Sequence, residues 1–206
     1  MKSKKGFTLI EMAVVLSIIA ILVAIMTPIV TSYIDQARVA RATIDVQHIG
    51  QAMILHYRDT GRYPIWLTNA AAITGTTPDK DVLVSGTSAA ISAAPSGSSH
   101  AAGWTAATVG LLDTFLNTNS LGYSISTASP AAIAYRGPYL DGLDGNDPWG
   151  NTYVVTSKYL ASTGANANNW AFAISAGPNG TLDTTYVQAK TAVLATASDD
   201  IVSLIH

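Results

Sequence analysis

The apolar positions near the N-terminus form one long run. Between Phe7 and Ile34 the only charged side chain is Glu11, and nearly all other positions are apolar or small. About 20 apolar residues are enough to span the hydrocarbon core of a bilayer. The run therefore predicts a membrane-spanning helix with an isolated carboxylate close to its start.

A different period follows this run. Apolar residues recur at alternating intervals of three and four positions, which predicts one face of an amphipathic helix. These residues are Val39, Ala42, Val46, Ile49, Met53 and His56/Tyr57. Gly61 and Pro64 are typical of a helix end. Together the two patterns predict one helix from about Thr8 to about Thr60, and Pro28 within it removes one helical hydrogen bond.

The C-terminal third reads as short strands and turns. Apolar and polar residues alternate there, as they do in half-buried strands. The predicted strands are Tyr153–Thr156, Asn169–Ser175 and Ile201–Ile205. Asp147–Gly150 has Asp, Pro and Gly at the positions that a type I turn prefers. These elements predict an α+β fold, in which a long N-terminal α-helix carries a head with a small antiparallel β-sheet.

Residues 65–135 carry the weakest pattern. Gly, Ser, Thr and Ala dominate from Val84 to Ala107, and such composition is typical of loops. A short helix is predicted at Thr105–Asn117 and a strand at Tyr123–Thr127. We interpret the region as an insertion in the head or a surface-exposed loop, with a low-complexity linker as the alternative.

Composition narrows the classes of function. The formal charge is −2, and removal of the three lysines among residues 1–6 would leave −5, which disfavours a broad nucleic-acid site. The chain has no cysteine, so no disulfide ties down the head. Glu11 is the only glutamate, and His48 and His56 are eight positions apart instead of the four of a helical zinc pair. We therefore expect no enzyme.

The basic residues predict an orientation. Lys2, Lys4 and Lys5 precede the apolar run, so the positive-inside rule leaves the N-terminus cytoplasmic and residues 35–206 outside. A removable secretory signal peptide has the same outline, but Met26-Thr27-Pro28 is a poor site for its cleavage. A cut at Gly6-Phe7 would instead leave the helix in the mature chain.

The residues Gly6-Phe7-Thr8-Leu9-Ile10-Glu11, at the start of a hydrophobic helix, resemble the N-terminus of type IV pilins and type II secretion pseudopilins. The resemblance implies that a prepilin peptidase cuts after Gly6 and that the new amine of Phe7 is methylated. Pro28 falls where that family places a proline. The family's location is implied as well: the bacterial inner membrane, single-pass, with the head in the periplasm.

The resemblance also implies partners and an organisation. An inner-membrane assembly platform would build the chain into a homopolymer with other pilins or pseudopilins. Residues 1–6 would be a cleaved leader, 7–30 a transmembrane and polymerisation helix, and 31–60 an amphipathic spine. Residues 61–206 would be the globular head, containing the insertion at about 65–135.

Glu11 has a physical role in that setting. A lone carboxylate is costly in an apolar filament core. The amino group of a neighbouring subunit's Phe7 would neutralise it and would fix the register between subunits. The alternative is a glutamate tolerated near the membrane interface. Phe7, Glu11 and Pro28 are therefore the candidate assembly residues, and Gly6 and Phe7 form the candidate processing site.

Later motifs resemble, in order, those of the major pseudopilin of type II secretion systems. They are Gly61-Arg62-Tyr63-Pro64, Arg136-Gly137-Pro138-Tyr139-Leu140 and Asp147-Pro148-Trp149-Gly150-Asn151-Thr152-Tyr153. Ser175-Ala176-Gly177-Pro178-Asn179-Gly180, followed by Asp199-Asp200-Ile201, is similar to the calcium-binding C-terminal loop of that family.

The second resemblance implies a calcium site. Calcium prefers carboxylate, amide and carbonyl oxygens. The implied ligands are the Ala176 carbonyl, Asn179, and Asp199 or Asp200, and Asp183 could add a further charge. Ordinary turn chemistry of Asn, Asp and Gly is the alternative. A second acidic cluster, formed by Asp141, Asp144 and Asp147, does not have EF-hand spacing and is interpreted as turn chemistry.

Three functions agree with these patterns. The first is a structural pseudopilin, which polymerises through its N-terminal helix and supports protein export by a type II secretion system. The second is a subunit of a surface type IV pilus for adhesion, motility or DNA uptake. The third is a minor tip or binding pilin whose 65–135 region contacts a ligand. The similarity to the calcium loop and the lack of cysteine favour the first.

Overall fold

The computed structural model describes residues 6–65, 80–86, 109–120, 122–123, 134–141, 143, 145–160 and 165–205. The chain divides into two compact units, one ending at Arg38 and one beginning at Val39.

The first unit consists of the start of a long helix. Helix α1 spans Leu9–Thr60, which confirms the predicted helix. Every described side chain up to Arg38 is exposed, although most of them are apolar. By length and composition α1 could cross a membrane. Such an apolar surface requires lipid or other protein around it.

In the second unit α1 is amphipathic, as predicted. The buried residues of the predicted face are Ala42, Val46, Ile49, Met53 and His56. The two ends of that face are more exposed, since Val39 and Tyr57 are each 44% accessible. The Tyr57 ring stacks on Tyr63 with 4.5 Å between centroids. The buried part of α1 therefore begins at Ala42, later than the periodicity predicted, and it continues to Asp59 and Thr60 at the end of the helix.

The head contains a five-stranded sheet. Its strands are β1 (Val82–Val84), β2 (Val109–Leu111), β3 (Val154–Val155), β4 (Phe172–Ser175) and β5 (Ile201–Leu204). Their order across the sheet is β2-β1-β3-β4-β5. The three strands predicted in the C-terminal third are confirmed with shorter bounds.

The sheet is mixed: its larger part is antiparallel, as expected, and one further strand pairs in parallel. Strand β1 pairs with β2 in parallel, in the register Leu83 to Gly110. The other three pairs, β1 with β3, β3 with β4, and β4 with β5, are antiparallel. Parallel pairing requires a long connection, and residues 85–108 separate the two strands in the sequence.

The described parts of 65–135 belong to the core. All three residues of β1 are fully buried. A short helix, α2 (Leu112–Leu116), directly follows β2 and buries Leu112, Phe115 and Leu116. These segments are thus structural parts of the head and not a surface-exposed loop. That residues 65–135 form an insertion stays a prediction.

The helix predicted at Thr105–Asn117 is wrong at its start. Val109–Leu111 form a strand, and α2 begins at Leu112 without a side-chain cap. Thr105, the predicted first residue, lies outside the described residues. The strand can pack against Leu83 and Phe115 because Gly110 has no side chain. A Cβ built there would lie only 2.7 Å from the Leu83 side chain and 2.8 Å from that of Phe115. Most of the strand predicted at Tyr123–Thr127 also lies outside the described residues, and Tyr123 itself is not in a strand.

Two tyrosines join α1 to the rest of the head. The Tyr153 hydroxyl donates to Asp45 Oδ2 at 2.6 Å, and the Tyr139 hydroxyl donates to Asp59 Oδ2 at 3.1 Å. Burial raises the pKa of Tyr139 to about 12, and burial together with the bond to Asp45 raises the pKa of Tyr153. Both hydroxyls therefore remain protonated donors at neutral pH.

Candidate assembly segment and acidic loop

The N-terminal segment forms a capping box at the start of α1. Thr8 donates twice to Glu11 Oε2, from its backbone nitrogen at 2.8 Å and from its hydroxyl at 2.7 Å. The Glu11 backbone nitrogen donates to the Thr8 hydroxyl oxygen at 3.3 Å. This reciprocal pattern of an N-cap threonine and a glutamate three residues later satisfies the free donors of a helix N-terminus.

Sequence reasoning missed Thr8, although its signal was present. Threonine followed three residues later by glutamate, before an apolar run, is the capping-box signature. Glu11 therefore has a partner within its own chain, in addition to the one predicted from a neighbour. Gly6 and Phe7 precede the helix and are exposed, Phe7 at 80%. The predicted cleavage point is thus an accessible, non-helical segment.

Pro28 lies inside α1, and the helix continues through it. Proline lacks the N–H that would bond to the carbonyl four residues earlier. Threonine hydroxyls bond to nearby carbonyls, since Thr27 donates to Val23 at 2.8 Å and Thr31 to Pro28 at 3.0 Å. Such back-bonding by Thr adds hydrogen bonds beside the position that proline leaves empty.

Four of the five predicted metal residues lie in one hydrogen-bonded cluster. We call residues 176–184 together with Asp199 and Asp200 the acidic loop. Asn179 connects its two parts: its backbone nitrogen donates to Asp199 Oδ2 and its side-chain nitrogen to Asp183 Oδ2, each at 2.9 Å. The loop therefore brings together the acidic residues that are far apart in sequence.

Asp200 is the most constrained carboxylate of the acidic loop. Its Oδ2 accepts from the backbone nitrogens of Asp183 at 2.9 Å and Thr184 at 2.5 Å. Its Oδ1 is buried and has no hydrogen-bond partner. Burial raises the pKa of Asp200. A buried, unpaired carboxylate oxygen is costly, so it is an available ligand atom.

Two other predicted ligands, Asn179 and Ala176, are restricted by hydrogen bonds or by burial. The Asn179 side-chain oxygen already accepts from the backbone nitrogen and the hydroxyl of Thr181, at 2.7 and 3.0 Å. Ala176 is fully buried directly after β4. Among the described residues, no three His, Cys, Asp or Glu side chains are placed to hold a metal by themselves. A cation here would also need backbone, amide or water oxygens, which calcium accepts.

A turn between 147 and 151 supports the acidic loop. The Gly150 nitrogen donates to the Asp147 carbonyl at 3.0 Å, which confirms the predicted turn. Asp147 Oδ1 accepts from the backbone nitrogens of Trp149 and Asn151. Asp147 thus acts as a turn acceptor, as expected. Asp144 of the same predicted cluster lies outside the described residues, and Asp141 is exposed.

His56 serves the core of the head. It is buried among the rings of Tyr123, Tyr135 and Tyr139, which lie 5.5–6.4 Å away. Its Nδ1 lies 2.9 Å from the Arg62 carbonyl, to which it can donate. Burial lowers the pKa of His56. Its surroundings are those of a packed, hydrogen-bonded core histidine.

Comparison with known proteins finds a family match at the N-terminus. Residues 1–27 match the family described as the prokaryotic N-terminal methylation motif. The matched segment includes the start of the long helix, and this helix together with the mixed sheet forms an α+β fold. The resemblance stated from Gly6–Glu11 is thereby confirmed.

The chain is also similar to the type II secretion system core protein G of Pseudomonas aeruginosa. The two are 41% identical over 63 residues, which is 31% of this chain and 44% of that relative. The match thus spans less than half of the relative's length. No solved structure matches the chain. Both matches agree with the resemblance to pilins and pseudopilins that the N-terminal residues carry.

Proposed function

We propose that the chain is a subunit of a type II secretion pseudopilus, which polymerises through α1 and supports protein export. The observation that carries this proposal is the similarity to core protein G together with the methylation motif at residues 1–27. The fully exposed apolar part of α1 suits it, because that surface needs lipid before assembly and neighbouring helices after it. Processing after Gly6, an inner-membrane assembly platform and a periplasmic head are parts of the same proposal.

Deletion of the gene tests the proposal directly. We expect loss of protein export through the type II pathway, with the exported proteins accumulating in the periplasm and the wild-type gene restoring export. Genes for a secretin and an assembly ATPase beside this one would agree with that result. Unchanged export, together with long filaments of this subunit in sheared fractions, would contradict it. That outcome would favour a surface type IV pilus instead.

Calcium binding by the acidic loop is the second part of the proposal. The buried, unpartnered Asp200 Oδ1 supports it, as do the carboxylates of Asp183 and Asp199 that Asn179 connects. Residues Asp183, Asp199 and Asp200, with backbone and amide oxygens, would hold the ion. Calcium supplies positive charge between carboxylates that otherwise repel one another. It would hold together two parts of a chain that no disulfide connects.

Calcium should raise the melting temperature of the full-length protein in detergent micelles. Binding at one hundred times the dissociation constant stabilises a fold by about 2.7 kcal/mol. For a chain of this length that is a rise of roughly 5 to 10 °C over protein in chelator. Tryptophan fluorescence during heating measures the rise. Asp200→Asn should abolish it, and magnesium at equal concentration should not reproduce it. No rise with calcium in the wild-type protein would rule out the site.

A further inference from the structure

Gly177 is the point at which the two parts of the acidic loop meet. It is buried and has a φ of +63°. A Cβ built on it would overlap the backbone oxygen of Asp199. Two residues further on, Asn179 donates to the Asp199 side chain. The position of Gly177 therefore decides how residues 176–183 are placed against Asp199 and Asp200.

The 147–151 turn holds both polar backbone groups of Gly177. The Gly177 nitrogen donates to the Ser175 hydroxyl oxygen at 3.2 Å, and that hydroxyl donates to Asp147 Oδ2 at 2.7 Å. The Asn151 side-chain nitrogen donates to the Gly177 carbonyl at 3.2 Å. Asn151 is thus the direct side-chain link from the turn to the acidic loop.

The fit between Asn151 and the loop is close on a second side. A Cβ built on Gly180 would lie 3.1 Å from Asn151 Oδ1, so the loop folds tightly over this amide. The Gly177 carbonyl also accepts from the Gly180 nitrogen at 3.3 Å. The amide of Asn151 therefore bonds to one end of the 177–180 turn and lies close to the other, and the acidic residues of the loop follow that turn in the sequence.

We propose that Asn151 is a positioning residue for calcium, one that fixes the acidic loop through Gly177 without being a ligand itself. This inference rests on the calcium binding proposed above. Residues that hydrogen-bond to metal ligands and orient them commonly matter for metal affinity: their replacement lowers it by about 10- to 100-fold. Asn151 has the properties of such a residue, because its one amide fixes the backbone at the junction of the two ligand-bearing segments.

Calcium titration of full-length protein in detergent micelles tests the inference. We expect Asn151→Ala to raise the calcium dissociation constant by about tenfold or more. Asn146→Ala is the matched control, since Asn146 is exposed in the same region and its side chain is outside the network. It should bind calcium as the wild-type protein does. All proteins are compared at a temperature at which circular dichroism shows them folded. A general loss of stability then does not alter the measured calcium dissociation constant.

The outcomes separate this inference from the proposal on which it depends. Wild-type protein that binds no calcium overturns both. Wild-type protein that binds calcium, with Asn151→Ala binding equally well, overturns only the role of Asn151. Should Asn151→Ala be unfolded, Asn151→Leu keeps a similar volume and removes the donor. A folded Asn151→Leu variant with wild-type affinity would refute the inference equally.

Discussion

Replacement of Glu11 by alanine will leave membrane insertion intact and will reduce assembly into filaments by about tenfold or more. Insertion should not suffer, because the change removes the only charge from the apolar run between Phe7 and Ile34. Assembly should suffer, because the amine of a neighbouring subunit's Phe7 would then be buried without its partner, and breaking one side of a buried ion pair is strongly unfavourable. Membrane fractions measure insertion, and sheared or crosslinked fractions measure filaments.

The capping box makes this experiment sharper, because Glu11 has two roles that different variants separate. Glutamine can serve in a capping box in the place of glutamate, so Glu11→Gln keeps the bonds from Thr8 and loses only the charge. We expect Glu11→Gln to assemble as poorly as Glu11→Ala. Thr8→Ala removes the hydroxyl that donates to Glu11 and keeps the charge. It should assemble better than either Glu11 variant. Wild-type filament levels from Glu11→Gln would refute the charge pairing between subunits.

The sequence could predict α1 because its signal is local and repeated. The apolar run and the spacing of three and four residues both extend over several turns, and Gly61 with Pro64 marks the end near Thr60. Such long periodic patterns need no knowledge of the rest of the fold. Thr8 shows the limit of this kind of reading. Its capping role depends on a single pair of residues, Thr8 and Glu11, which lie three positions apart and form no repeated pattern.

The topology of the head could not be predicted in the same way. Val109–Leu111 is too short for periodicity to separate a strand from a helix, and its pairing with Val82–Val84 in parallel depends on the crossover between them. The contact of Asn151 with Gly177 joins residues 26 positions apart. The motif resemblance identified both segments but not their contact. What decides such contacts is tertiary packing, which composition and spacing do not encode.

Gly177→Ala should destabilise the head strongly, by about 2 to 5 kcal/mol. A left-handed backbone costs a residue with a Cβ roughly 1 to 2 kcal/mol, and Gly177 has a φ of +63°. The new methyl group would also collide with the Asp199 carbonyl oxygen, and forcing an extra group into a packed site typically costs about 1 to 3 kcal/mol. Thermal unfolding of full-length protein in micelles measures the change, as a lower melting temperature.

Gly150→Ala is the control that isolates the collision from the backbone cost. Gly150 has a φ of +96°, yet a Cβ built on it would have no neighbour within 4 Å. It should therefore lose only the backbone contribution of roughly 1 to 2 kcal/mol. If both variants lost the same stability, Gly177 would not be the close contact between the two parts of the acidic loop. A larger loss for Gly177→Ala, accompanied by weaker calcium binding, would mean that the same contact that stabilises the head also places the ligands.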